Sequence, residues 1–85
     1  MTAADFSLDT LFCANARLHP ANEAAVDGTQ RLTYAELDMR VDHLAHWLLA
    51  RGITPGDRIA ILLTDGAPYL TTLLACGRIG AIAVL

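Results

Sequence analysis

The first half of the chain alternates hydrophobic and polar positions at helical spacing, and the second half nearly abandons polar positions. Leu8, Leu11, Phe12, Asn15 and Leu18 recur with the period of a helix, with Ser7 as its N-cap and Phe6 and Leu11 placed as a hydrophobic staple. The helix should end by His19, before Pro20. Residues 24–26 and 31–33 are short extended segments around Asp27-Gly28-Thr29-Gln30, where Asp-Gly supplies the turn chemistry of a hairpin. Thr33-Tyr34-Ala35-Glu36 then spells a capping box, with Leu32 and Leu37 closing over it. Leu37, Val41, Leu44, Ala45 and Leu48 form one stripe of the helix that follows, and Glu36, Arg40, Asp42, His43, His46 and Arg51 take the rest of its surface. Glu36 and Arg40 are spaced as a favourable pair. Gly52 suits a left-handed cap, Ile53 can fold back toward Leu48, and Pro55 prevents the helix from resuming.

Turn-rich residues 52–58 lead into an apolar run, residues 59–63, that lacks polar alternation and so predicts a strand covered on both faces. The next segment predicts a helix with Pro68 in its first turn and Gly80 as its C-terminal cap. Tyr69, Leu70, Leu73, Leu74, Ala75, Cys76 and Ile79 wrap much of its circumference, which implies burial on more than one side. Gly77 and Ala75 permit close approach to a neighbouring element, at a propensity cost of about 1 kcal/mol for the glycine. A second apolar run, residues 81–85, completes strand, helix and strand, a βαβ unit with right-handed crossover that belongs in a parallel sheet. The predicted class is therefore α/β: an N-terminal helix, a short hairpin, then α-β-α-β. Two strands do not make a sheet, and the expectation is that residues 1–85 form one incomplete part of a larger domain.

Composition sharpens this expectation. A chain of this size buries only about 60% of its unfolded surface. Yet 54% of its residues are hydrophobic and its mean hydropathy is +0.40, with the excess concentrated after Ile59. Net charge is −3, and the six basic residues, all arginines, are scattered, so no nucleic-acid footprint exists. The sequence contains no lysine, which removes Schiff-base chemistry, the P-loop lysine and any lysine-dependent adenylation step from these residues. The N-terminus lacks the pattern of a signal peptide, and Asp65, Pro68 and Arg78 interrupt any membrane span, leaving the cytoplasm as the expected location.

Candidate chemistry is sparse. Cys13 and Cys76 read as two buried thiols of a reducing compartment. His43 and His46, three apart with Asp42 alongside, could share a metal, but further ligands are missing nearby and both fall on the polar face. The turn Thr64-Asp65-Gly66-Ala67 lies where open α/β sheets bind ligands, yet it lacks a phosphate-binding glycine pattern, so capping by Asp65 is the expectation. Gly77-Arg78-Ile79-Gly80 follows a helix, whereas phosphate loops precede one, and so reads as a cap. Tyr34, Trp47 and Tyr69 are too widely spread for a stacking platform, and Arg58 and Arg78 are expected at the surface or paired with carboxylates. The residues define no catalytic, cofactor-binding or metal site.

Three pieces, LTYAEL at 32–37, GITPGDRIAILL at 52–63 and LACGRIGAIAVL at 74–85, occur in the order and spacing of a known family. Nearly the whole chain resembles the N-terminal portion of the adenylate-forming superfamily: acyl-CoA synthetases, peptide-synthetase adenylation domains and luciferases. The resemblance implies a parent ligase that uses ATP and Mg²⁺ to convert a carboxylic acid to an acyl-adenylate and then transfers the acyl group to a thiol, commonly coenzyme A. Its phosphate loop, nucleotide-contacting motifs and catalytic lysine have no counterpart here, so its functional residues transfer to none of these positions and LTYAEL transfers as scaffold. The segment alone is expected to be inactive and to bind none of these cofactors. Its expected partner is the remainder of the parent, a covering protein or a second copy. The alternatives are a segment of a peptide-synthetase adenylation domain and a non-enzymatic half-domain that docks through its strand edge and apolar helix.

Overall fold

The computed structural model describes residues 8–61 and 66–84. In chain order the elements are α1 (Leu8–Leu18), β1 (Glu23–Asp27), β2 (Gln30–Thr33), α2 (Tyr34–Ala50), β3 (Arg58–Ala60), α3 (Gly66–Ile79) and β4 (Ile82–Val84). The α/β class and the predicted succession both hold. Ser7 and Phe6, proposed above as cap and staple, lie outside the described residues.

Both ends of α2 form as its sequence dictates. The Thr33 hydroxyl accepts the Glu36 N–H at 3.2 Å, and the Glu36 carboxylate accepts the Thr33 N–H at 2.9 Å. The bond from the Thr33 N–H, and then one from the Thr33 side chain, hold the Glu36 carboxyl below its ordinary value of 4.5, with Arg40 a lesser contributor. At the other end Gly52 takes φ +90°, and the Ile53 N–H donates to the Leu48 carbonyl at 3.2 Å, closing the expected cap. Leu37, Val41, Ala45 and Leu48 are buried along one stripe.

β1 and β2 pair antiparallel, with a register shift between Glu23 and Ala25. β3 and β4 pair parallel, Arg58 opposite Ile82 and Ala60 opposite Val84. α3 connects them and ends at Gly80, whose φ of +78° is the left-handed turn. A side chain there would be strained, and its Cβ would also sit 3.3 Å from Pro55 Cβ. The Gly80 carbonyl accepts the Gly56 N–H at 2.9 Å, so this cap also fixes the entry to β3.

The core lies between helices. α2 packs on α3, α1 lies across both, and the hairpin rests on α2 and α3. Leu37, Val41, Leu74, Ala75 and Cys76 are all at or below 1% exposure. The sheet packs against α3 through β4; Ile59 lies against the helical core and Ile61 is buried, while Arg58 and Ala60 face outward. This departs from the strand covered on both faces. Ile82 and Val84 are 48% and 44% exposed because, among the described residues, α3 is the helix packed on this sheet.

A second departure concerns α1. Of the five residues read as its inner face, Phe12 is buried, but Leu8, Leu11 and Leu18 are 55%, 56% and 71% exposed. Asp9 occupies the inward position instead, at 8% exposure. Gly77 of α3 makes room for it, its absent Cβ position lying 3.4 Å from Asp9 Cβ, which is the close approach the glycine predicted.

The cap of α2 is testable by calorimetry or denaturant unfolding. Thr33→Ala should cost about 1 kcal/mol. Because the folded state lowers the Glu36 pKa, its contribution is complete above the ordinary carboxylate value and disappears as pH falls through the lowered one. Glu36→Gln should retain the capping geometry and remove that acid-side loss.

Candidate functional site

The densest polar constellation forms where α1, α2 and α3 meet. Asp9 is in the first turn of α1 and Arg78 in the last turn of α3, so each carries the charge its own helix dipole favours. The Arg78 side chain is 19% exposed and that of Asp9 11%. Arg78 Nη2 donates to Asp9 Oδ1 at 2.9 Å, and Nε donates to the two Asp9 oxygens at 3.2 and 3.3 Å. The same Nη2 reaches Asp38 Oδ1 of α2 at 2.9 Å, and Nη1 lies 3.9 Å from Asp42 Oδ1. One guanidinium thus faces carboxylates from two helices, a geometry that its planar fork permits and an ammonium does not.

Burial would lower the Arg78 pKa, but the hydrogen bonds from Asp9 and Asp38 outweigh it and raise the value, so this cation stays charged. The Cys13 thiol lies beside it, Nη2 approaching Sγ at 3.1 Å. Burial, then the Asp9 carboxylate, push the Cys13 pKa up, while Arg78 pulls in the opposite direction and loses. Cys76, 1% exposed, is pushed up by burial. Both cysteines are free and neither is tuned as a nucleophile. Above the clasp Cys13, Ala16, Arg17, Ala35 and Asp38 line an open cleft of about 330 Å³. Among the described residues, every buried side-chain nitrogen and oxygen has a partner. The arrangement binds three helices together.

The residues weighed from sequence are not brought together. His43 and His46 are exposed, and His46 Nδ1 is 3.7 Å from Asp42 Oδ2. Among the described residues no group of three His, Cys, Asp or Glu converges as a metal site. Thr64 and Asp65 lie outside the described residues, and Gly66 begins α3. Tyr34 packs on Phe12 with ring centroids 5.6 Å apart, whereas Trp47 lies under Arg51 at 4.5 Å. Tyr69 is half-buried and Arg58 exposed. Arg78 does pair with carboxylates, but as a partly buried clasp. Its partner Asp9 is 69 positions away and carried no local signal beyond being an acid in a helix's first turn.

Helix, hairpin, helix and a parallel βαβ unit define the class as α/β, with a polar clasp joining the three helices. Comparison with known proteins agrees. The family of AMP-binding enzymes matches residues 12–85. A feruloyl-CoA synthase from an Amycolatopsis species is 49% identical over 69 residues, covering 81% of this chain and 14% of that protein. The salicyl-AMP ligase / salicyl-S-ArCP synthetase of Mycobacterium tuberculosis is 42% identical over 84 residues, covering 93% and 15%. The N-terminal subdomain of Klebsiella oxytoca NpsA, solved with anthranilyl-AMSN, superposes with a TM-score of 0.86 at 26% identity, over 92% of this chain and 20% of that one. The chain belongs to the AMP-binding enzyme family. It spans 14% to 15% of the length of these two curated relatives.

Replacing Arg78 with methionine leaves Asp9 partly buried without its counter-charge and should cost about 3 kcal/mol, with faster amide exchange along α1. Arg78→Lys should recover only part of the loss, since one ammonium cannot span Asp9 and Asp38 together. Thiol labelling at neutral pH should be slow at Cys13 and slower still at Cys76, which needs unfolding to react; rapid labelling of either would contradict the described burial.

Proposed function

We propose that residues 1–85 are the N-terminal part of an AMP-binding domain in an ATP-dependent ligase that joins a carboxylic acid to a thiol. In that reaction a carboxylate oxygen attacks the α-phosphorus of ATP and pyrophosphate leaves. The thiol sulfur then attacks the acyl carbon, AMP leaves, and the thiol proton passes to a base or solvent. The observation that carries this reading is the 49% identity to a feruloyl-CoA synthase across 81% of the chain, which favours coenzyme A as acceptor and makes aromatic acids the first to try. A carrier-bound thiol is the second reading, favoured by the salicyl-S-ArCP synthetase. The reaction takes place in the cytoplasm in either case.

The residues here do not fit the nucleotide. They include no lysine, and the described part offers neither a phosphate-cradling glycine loop nor a metal cluster. No step of adenylation is therefore assigned to a side chain of this segment. Its contribution is to place β3 and β4 as the start of a parallel sheet, on which the rest of the domain builds. Among the described residues no helix is long and apolar enough to cross a membrane.

ATP–pyrophosphate exchange tests the reading. The 85-residue chain should give none with any acid. A feruloyl-CoA synthase whose matching segment is replaced by residues 12–84 of this chain should keep its exchange within roughly tenfold, as expected for scaffold remote from the chemistry. Exchange by the pure 85-residue chain would overturn the assignment. A longer protein carrying this segment that activates no carboxylic acid would return it to the docking-module alternative. Offering coenzyme A and a pantetheinylated carrier protein separately decides the acceptor.

A further inference from the structure

The outward face of α2 carries a stripe of its own. Glu36, Met39, His43, His46 and Ala50 recur at alternating spacings of three and four, the seam by which one helix packs on another, and all of them are exposed. A solvated helix face needs no apolar residue, yet Met39 lies on this seam and Trp47 beside it, 59% and 53% exposed. At about 100° per residue, Glu36, Arg40, Trp47 and Arg51 fall to one side of His43, and Met39, His46 and Ala50 to the other. Arg51 stacks on the Trp47 ring at 4.5 Å, and His46 Nδ1 lies 3.7 Å from Asp42 Oδ2, so the indole and one imidazole are already held in place.

We infer that this stripe is a self-docking face: a second copy of the chain packs on it through its own α2, antiparallel, about a two-fold axis at His43. Complementarity chooses this occupant. A two-fold axis that runs the helices antiparallel brings the same flank of each copy together and matches positions equally far before and after His43. Met39 precedes His43 by one position more than His46 follows it, and Glu36 precedes it by one position fewer than Arg51 follows it. Glu36 therefore stands opposite Arg51 of the second copy, Arg40 opposite its Trp47 ring, and Met39 between its His46 and Ala50. These are an opposite-charge pair, a guanidinium at an indole, and a thioether beside an imidazole. A parallel pair would instead set Glu36 on Glu36 and Arg40 on Arg40, so the charges select the antiparallel order. One helix seam offers less than the roughly 800 Å² that each partner contributes to a standard stable interface, which makes the dimer weak and dependent on concentration. The dimer stands whether or not the longer protein activates a carboxylic acid.

Symmetric cross-linking tests the inference. Facing positions on helices packed roughly 8–10 Å apart come within disulfide reach, so His43→Cys should join two copies under mild oxidation. Leu49→Cys, on the same helix and 48% exposed but off the stripe, should not. The unsubstituted chain, with Cys13 and Cys76 free, sets the background. Met39→Cys mixed with His46→Cys should link the two variants to each other more than either to itself; the reverse order would mean parallel helices and overturn the arrangement. In sedimentation equilibrium Trp47→Ser should weaken the dimer about tenfold and Arg51→Glu severalfold, with helicity unchanged. A dimer of unchanged strength in both variants, or equal cross-linking at positions 43 and 49, would place the contact on another surface and overturn the inference. The His43→Cys experiment is repeated in a longer protein carrying the segment, so that poor folding of the short chain does not decide the result. Absence of the cross-link there would mean that further polypeptide covers this face, and would overturn the inference as well.

Discussion

The clasp between Arg78 and the carboxylates of Asp9 and Asp38 fixes the relative placement of all three helices. Removing a guanidinium and a carboxylate from water costs several kcal/mol per ion, and Coulomb attraction repays this only with good geometry and few unsatisfied atoms. Here the geometry is good: hydrogen bonds of 2.9 Å reach two different helices, and among the described residues no buried polar side-chain atom is left over. Such a pair contributes specificity more than net stability. It selects one rotation of α1 and one approach of α3, made possible sterically by Gly77.

The apolar packing then follows from that choice. With α1 held, Phe12 enters the space beside Tyr34 and Leu37, and α3 presents Leu74 and Ala75 to the same core. The Gly80 cap then turns the chain to lay β4 beside β3. Among the described residues, the hydrophobic surface left outside includes the face of the sheet carrying Ile82 and Val84 and the flank of α1, besides Val26 of β1 and Met39, Trp47 and Leu49 of α2. Parallel sheets are stable when helices cover both faces. A two-stranded one with a single helix against it, in a chain spanning about a seventh of its relatives, is the physical counterpart of the excess hydropathy after Ile59.

How far each feature could be read in advance depends on the range of the interaction that creates it. The α2 helix was legible at both ends because its capping box spans three residues and its C-terminal cap five, so the signals lie within reach of the backbone they satisfy. The hairpin and the βαβ unit were legible for the same reason, since turn residues and uninterrupted apolar runs are local patterns. The orientation of α1 was not. Periodicity favoured its leucines as the inner face, and the ion pair that overrides periodicity joins positions 69 apart. The described face of β3 misled in a related way: an apolar run signals burial on both faces, whereas exposure here reports only the neighbours among the described residues.

The Cys13 thiol beside Arg78 is governed by more than that cation. An arginine next to a cysteine would ordinarily favour thiolate and hence reactivity, but the Asp9 carboxylate lies 3.8 Å from the same sulfur and opposes the cation. With burial it outweighs the cation and keeps the thiol protonated. The sequence contains no lysine, and among the described residues no group of three His, Cys, Asp or Glu converges as a metal site. The arrangement of elements tolerates divergence in sequence. That is consistent with a superposition at TM-score 0.86 in which only 26% of residues are identical.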